Sequence, residues 1–219
     1  MKVIEFSRYG IPHEVCACVE VDDPGPPAAG EIVVSIDACS INPADLLIIE
    51  GRYPGPASLP SRLGIEGVGR VLAVADNVQE ISPGDRVMLL DRENWAERVA
   101  TPANRVIRIS EELDPLQAAM MKVNPPTALL MLSDYVDLEP GDWVIQNAAN
   151  SAVGRHVVRL AGQRGIRTIN IGRRGPMAAT KVAYSALVIR FRVMRKAGRY
   201  GDLRVSPSYQ RLLRVTSWP

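Results

Sequence analysis

A chain of 219 residues with 47% hydrophobic and 23% charged side chains, and a mean hydropathy of +0.00, has the balance of a globular protein able to bury a sizeable core. That balance excludes disordered, collagen-like and fibrous classes, and no run approaches the roughly 20 uninterrupted apolar residues of a membrane-spanning helix. The net charge of +2 hides an asymmetry, because residues 177–219 hold nine basic and one acidic side chain while the residues before them hold 17 basic and 23 acidic, which places a change of character near Pro176.

Met1-Lys2-Val3-Ile4-Glu5-Phe6 starts directly as an alternating strand, without the character of a signal or transit segment. Cys16, Cys18 and Cys39 are an odd set without zinc or disulfide spacing, as expected of free thiols in a reducing compartment. A soluble cytoplasmic protein is the expectation. Strands are predicted at Val3–Phe6, Val15–Val21, Glu31–Cys39, Gly67–Ala75, Arg86–Leu90, Ala96–Ala100 and Arg105–Ile109, with turns at Pro24-Gly25-Pro26-Pro27, Pro54-Gly55-Pro56 and Ser82-Pro83-Gly84-Asp85. So many short strands at that spacing point to a barrel. Within the fourth run, Gly67-Val68-Gly69 marks a bulge or a close backbone approach, and Trp95 reads as a barrel-core side chain.

Helical periodicity takes over at Asp114–Leu132, interrupted at Pro125-Pro126. Asp142–Gln146 is then a buried strand, Asn147–Val153 a run of small residues, and Val157, Val158, Leu160 and Ala161 one face of a helix that Gly165 caps. A second strand follows at Arg167–Ile171. Strand, small-residue turn, helix and strand make one parallel βαβ unit. Beyond Gly175-Pro176 neither strand alternation nor a clean helical face is legible.

A dinucleotide pyrophosphate needs small residues, so that backbone N–H groups can approach it, and a helix N-terminus for its charge. Asn147-Ala148-Ala149-Asn150-Ser151-Ala152-Val153-Gly154 supplies both, in an A-x-x-S-x-x-G pattern that on its own fits an ordinary tight βα turn equally well. The second strand runs out into Ile171-Gly172-Arg173-Arg174 with no carboxylate for a ribose 2′-hydroxyl. Arg173 and Arg174 therefore point to the 2′-phosphate of NADPH, against the alternative of a solvated basic turn.

Several segments together resemble the zinc-free medium-chain dehydrogenase/reductases, in the branch of 2-enoyl thioester reductases and quinone oxidoreductases. They are Ser40-Ile41-Asn42-Pro43-Ala44-Asp45, Glu50-Gly51-Arg52-Tyr53-Pro54, Gly64-Ile65-Glu66-Gly67-Val68-Gly69, Pro83-Gly84-Asp85-Arg86-Val87, Val123-Asn124-Pro125-Pro126-Thr127-Ala128 and Gly141 through Gly154. The likeness runs in order from residue 1 to about Arg174 and stops there. It implies an α+β chain, with an N-terminal GroES-like β-barrel catalytic domain over residues 1–122. The opening βαβ of a Rossmann NADP-binding domain would occupy 123–176, and an atypical basic tail 177–219. Such a chain, apparently truncated, is expected to leave its sheet incomplete, to bind NADPH poorly and to reduce little.

The resemblance also implies roles. Zinc-using members of the family carry Cys where this chain has Asn42 and His where it has Ile65, and His13 and His156 have no partner at ligand spacing, so no metal is expected. Tyr53 stands in the loop that holds the catalytic tyrosine of the enoyl thioester reductases, where a phenol can donate to a developing enolate or protonate the α-carbon. By itself a loop tyrosine beside proline is more often a packing residue. Asn42 is the second expected catalytic residue and with Asp45 is expected to shape the same cleft, and Thr127 to lie near the nicotinamide; all three fit plain structure equally, Asp45 as a helix cap and Thr127 as a helix-start hydroxyl. Implied partners are NADPH, an enoyl thioester on CoA or acyl carrier protein or else a quinone, and a second copy of the chain, with no specific nucleic acid and no membrane. A different class stays open, a non-catalytic scaffold whose basic tail binds an acidic partner.

Overall fold

The alternating Val and Ile of the first hundred positions pair into two antiparallel sheets, in a computed structural model that describes residues 1–171. In the first sheet β1 (Lys2–Phe6) lies between β2 (Cys16–Glu20) and β4 (Ser61–Arg62), with Val3 opposite Val19 and Phe6 opposite Cys16. The second has the order β7 (Arg98–Pro102), β3 (Glu31–Cys39), β5 (Gly67–Val74), β6 (Arg86–Leu89), β8 (Val106–Arg108). A bridge between Val3 and Ala96 and the bond from Ile4 N–H to the Trp95 carbonyl join the two sheets into one curled, partly closed barrel. Period-2 alternation sends Ile32, Val34, Val71, Val87 and Leu89 into its interior, each burial contributing about 2 kcal/mol.

The strand expected from Val15 begins one residue later, because Pro12 starts a single helical turn, α1 (Pro12–Val15), that absorbs Val15. The predicted seventh strand is shortened to β8 because residues Ala103–Arg105 form a 3-10 turn. The run predicted as Ala96–Ala100 pairs two residues further on, as β7. A helix not expected from periodicity, α2 (Pro43–Ile49), follows β3; Pro43 occupies its first position and Ile48 and Ile49 bury beside Phe6, Val15, Leu63 and Ile65.

The interruption expected at Pro125-Pro126 falls earlier. Helix α3 (Pro115–Ala118) ends in turns, and α4 (Asn124–Ser133) carries both prolines in its first turn, where a missing N–H leaves no intrahelical bond unmade. The chain divides into two compact units between Val123 and Asn124. In the second, β9 (Trp143–Gln146) and β10 (Arg167–Asn170) pair in parallel, joined through α5 (Ala152–Gln163). Val144, Ala128, Leu132, Val157, Ala161 and Ile166 form its core. Gly165 takes φ +67° after α5, as the predicted cap requires. The expected tail lies outside the described residues.

The Gly67-Val68-Gly69 segment is a close approach. Opposite Gly69, β3 bulges between Ile36 and Ala38, and a Cβ on Gly69 would lie 2.0 Å from the Ser35 carbonyl oxygen. Gly69→Ala is therefore expected to destabilise the protein by at least about 3 kcal/mol, since the neighbour is backbone and cannot swing aside; urea unfolding measures it.

Candidate active site

The chain leaving β3 turns sharply at Ser40–Asn42 to start α2, and the turn is held by two buried carboxylates. Asp45 accepts from the Asn42 N–H at 2.8 Å through Oδ2, closing the first turn of the helix. Its Oδ1 accepts from the Ile65 N–H at 3.0 Å, which fastens the strand entering β5 to the helix start. Glu66, fully buried, takes three donors. Its Oε2 accepts from Ser40 Oγ at 2.9 Å and Asn42 Nδ2 at 2.8 Å, and its Oε1 accepts from the Val123 N–H at 2.7 Å. Asn42 Nδ2 also donates to Ser40 Oγ at 2.9 Å, so both amide hydrogens of the buried Asn42 are engaged.

Lys122 donates to the carbonyl oxygens of Ile65, at 2.6 Å, and Asp91, at 3.0 Å. Burial pushes its pKa down, Arg92 adds to the effect, and the charges of Glu66 and Asp91 oppose it. Burial raises the Asp45 carboxyl, against the two backbone donors that favour its charged form, and the neighbouring Glu66 raises it further. The Cys39 thiol is raised by burial and then by Asp45. Trp95 donates from its indole nitrogen to the Ser40 carbonyl at 2.9 Å and packs on the Phe6–Ile48 cluster, as a barrel-core tryptophan.

Tyr53 stands in the loop after α2. Gly51 turns the chain at φ +70°, and the Arg52 N–H bonds back to the Leu47 carbonyl at 2.9 Å. The Tyr53 side chain is 45% exposed, free of the core that a packing role would demand. Asn42 is thus brought together with Glu66 and Ser40, and Tyr53 is carried out to the surface at the other end of the same helix.

In the second unit Ala148 takes φ +49°, and Ser151 closes the turn with a bond from its N–H to the Ala148 carbonyl at 2.8 Å. Ser151 caps α5, its Oγ accepting from the Gly154 N–H at 3.1 Å. A Cβ at Gly154 would come within 2.7 and 2.8 Å of the Ala149 and Ala148 carbonyl oxygens, so only glycine lets the turn close on the helix. Asn147, Asn150 and Ser151 are exposed around it, while Ala152 and Val153 are half-buried. This cradle of short side chains, open backbone and a helix N-terminus fits a dinucleotide pyrophosphate. Thr127 is half-buried near the start of α4, and Arg173 and Arg174 lie outside the described residues.

Sequence reading passed over Glu66, Lys122 and Gln146. Gln146 ends β9 by donating to the Gly154 carbonyl at 3.1 Å and to Asn170 Oδ1 at 2.7 Å, pinning the cradle to both strands. The signal for Glu66 was visible: a lone carboxylate inside Gly64-Ile65-Glu66-Gly67-Val68-Gly69, an otherwise apolar and glycine run, has to be satisfied from elsewhere. Among the described residues no group of three or more His, Cys, Asp and Glu could hold a metal ion. Ile65, at the position expected to lack a ligand, is packed in the α2 core.

The alcohol dehydrogenase GroES-like domain family matches residues 28–111. A mitochondrial enoyl-(acyl-carrier-protein) reductase of Caenorhabditis elegans is 41% identical over 171 residues, which are 77% of this chain and 49% of that protein. The quinone oxidoreductase of Escherichia coli complexed with NADPH superposes with a TM-score of 0.70 at 30% identity, over 78% of this chain and 52% of that one. The mitochondrial 2-enoyl thioester reductase Etr1p/Etr2p heterodimer of Candida tropicalis does so with a TM-score of 0.70 at 28% identity, over 80% and 55%. The chain spans about half the length of the curated relatives it matches.

Glu66→Ala removes the buried acceptor shared by Ser40 Oγ, Asn42 Nδ2 and the Val123 N–H, and is expected to lower stability by about 3 kcal/mol; Glu66→Gln, which turns an amide donor toward one of those donors, should fall between. Denaturant midpoints of both variants check this. For Asp45 the folded chain holds its proton more tightly than the unfolded chain, whose ordinary value is 3.8. Its contribution to stability therefore falls as pH rises from that value through the raised folded one. Wild type is expected to lose ground to Asp45→Asn as pH rises above 3.8, in urea midpoints measured side by side.

Proposed function

We propose that the chain is a medium-chain dehydrogenase/reductase that reduces the carbon–carbon double bond of a trans-2-enoyl thioester with NADPH. The observation that carries this reading is the exposed Tyr53 phenol on a loop fixed by α2, in a chain 41% identical to a named enoyl reductase. The first unit is proposed as the catalytic domain and the second as the start of the NADP-binding Rossmann domain.

NADPH, when bound, would supply a hydride for the β-carbon of the enoyl group. The chain has to answer the charge that this leaves on the thioester oxygen, and the Tyr53 hydroxyl is the proposed donor, to that oxygen or, as a proton, to the α-carbon. Asn42, with both amide hydrogens committed to Glu66 and Ser40, is proposed as a positioning residue that fixes the start of α2. The backbone of Asn147 through Gly154 would hold the pyrophosphate, Thr127 would stand near the nicotinamide, and Arg173 and Arg174 would face the 2′-phosphate. Zinc independence follows from the same residues: Asn42 is occupied as a donor and Ile65 offers no ligand, so neither position serves a Lewis acid.

A second reading, reduction of a quinone, is favoured by the 30% identity to the Escherichia coli quinone oxidoreductase. The names of the enoyl reductases support a mitochondrial location in place of the cytoplasm expected from composition. The Candida heterodimer supports pairing with a second chain. No helix among the described residues is long and apolar enough to cross a membrane.

NADPH oxidation by the purified protein with crotonyl-CoA, set against a benzoquinone, tests the assignment. In a version carried to the full length of those relatives the thioester is expected to turn over, and Tyr53→Phe to lower that turnover by about two to four decades at little change in NADPH affinity, whereas the 219-residue chain is expected to reduce little. Turnover of the quinone alone would favour the second reading. Neither turnover nor NADPH binding would leave a non-catalytic member of the family.

A further inference from the structure

We propose that Tyr9 is a positioning residue for Tyr53, its ring forming the floor on which the Gly51–Gly55 loop is set. The inference rests on Tyr53 being the proton or hydrogen-bond donor of the proposed function, and concerns how that side chain is held. The connection between β1 and α1 carries Tyr9 against the loop after α2. A Cβ on Gly51 would lie 3.3 Å from Tyr9 Cγ, and one on Gly55 would lie 3.5 Å from the Tyr9 hydroxyl. The ring thus runs along the base of the loop, touching it at the two glycines that bracket Arg52, Tyr53 and Pro54. A Cβ would crowd the ring at Gly51 and meet it in ordinary contact at Gly55, and Gly51 must in addition take φ +70°.

Tyr9 is itself anchored. Its ring meets buried Phe6 at 6.0 Å between centroids with a 58° tilt, a favourable edge-inclined pair. The N–H of the next residue, Gly10, bonds to the Ile49 carbonyl at 2.9 Å, tying the connection to the last turn of α2. The loop is therefore fixed twice: by its own backbone, through the Arg52 N–H to Leu47, and by a ring fastened to the core. Tyr9 is 47% exposed, so the ring is only partly covered. Loop position governs where the Tyr53 hydroxyl stands, and a donor displaced by an ångström loses much of its effect.

Trypsin reads the loop directly, because the bond it attacks after Arg52 lies between the two glycines and the Arg52 side chain is 70% exposed. In the full chain, Tyr9→Ala is expected to speed cleavage after Arg52 by about 10-fold or more while cleavage after the exposed Arg92, outside that loop, and the melting temperature change far less. Tyr9→Phe, which keeps the ring, should restore the wild-type rate to within about 2-fold. Tyr9→Leu, apolar but without the ring's reach to Gly55, should resemble Ala, and serves in its place if Ala does not fold. An unchanged rate after Arg52, an equal rise after both arginines, or failure of Phe to rescue would overturn the proposal. Because cleavage is independent of turnover, a Tyr53→Phe variant with undiminished activity would sink the catalytic reading while leaving the loop result to be judged by itself. Where thioester is reduced, Tyr9→Ala is expected to lower kcat at unchanged NADPH affinity.

Discussion

A carboxylate shut away from water has to be given donors, and the one on Glu66 draws three of them from two separate stretches of chain. Ser40 lies 26 positions before it, Asn42 24 before, and Val123 57 after. Desolvating an ion costs several kcal/mol, so the folded state is confined to arrangements in which all three arrive together. The end of β3, the cap of α2 and the last residue of the first unit are thereby gathered on one oxygen pair. Everything that α2 carries, including the loop with Tyr53 at its far end, inherits its placement from that gathering. Asp45 repeats the device one turn further on, with two backbone donors in place of side chains.

The strands were legible because their physics is local. Alternation of Val and Ile across β3 and β5, and turn residues between runs, are read within a few positions, and the parallel βαβ followed from a buried strand, a small-residue turn and a helical face. What escaped was set by partners far away or by boundary chemistry. α2 is only seven residues and too short for a periodic face to stand out, yet Asn42-Pro43-Ala44-Asp45 has a cap residue, a proline at the first helical position and an acid at the third. The prolines of α4 misled in the opposite direction, since a pair that breaks a helix interior is well placed at its start. Of the candidate site, the glycine and serine of the phosphate cradle could be named from their spacing. Glu66, Lys122 and Gln146 could not, because their meaning lies in what they bind.

The two units solve the same problem with different materials. In the first, a charged group organises the turn before a helix; in the second, the neutral amide of Gln146 does so, spanning from Gly154 to Asn170 and holding the turn with no charge of its own. That difference suits the ligands proposed for them. A neutral clamp leaves the α5 N-terminus with its partial positive charge undiminished for a phosphate, whereas a fixed anion there would oppose one.

The contact between Gly69 and the Ser35 carbonyl also bears on how the sheet chooses its pairing. Strands rich in Val and Ile on both sides, like β3 and β5, offer similar apolar contacts when displaced along one another, and a one-residue slip would exchange the inner and outer faces. Displacement by one position brings Val68 or Arg70 to the place where the bulged strand presses in, and neither side chain can be accommodated against backbone. The glycine and the bulge act as lock and key for alignment: the correct register is the one in which the missing side chain meets the protruding carbonyl, so mispaired strands are rejected by steric exclusion.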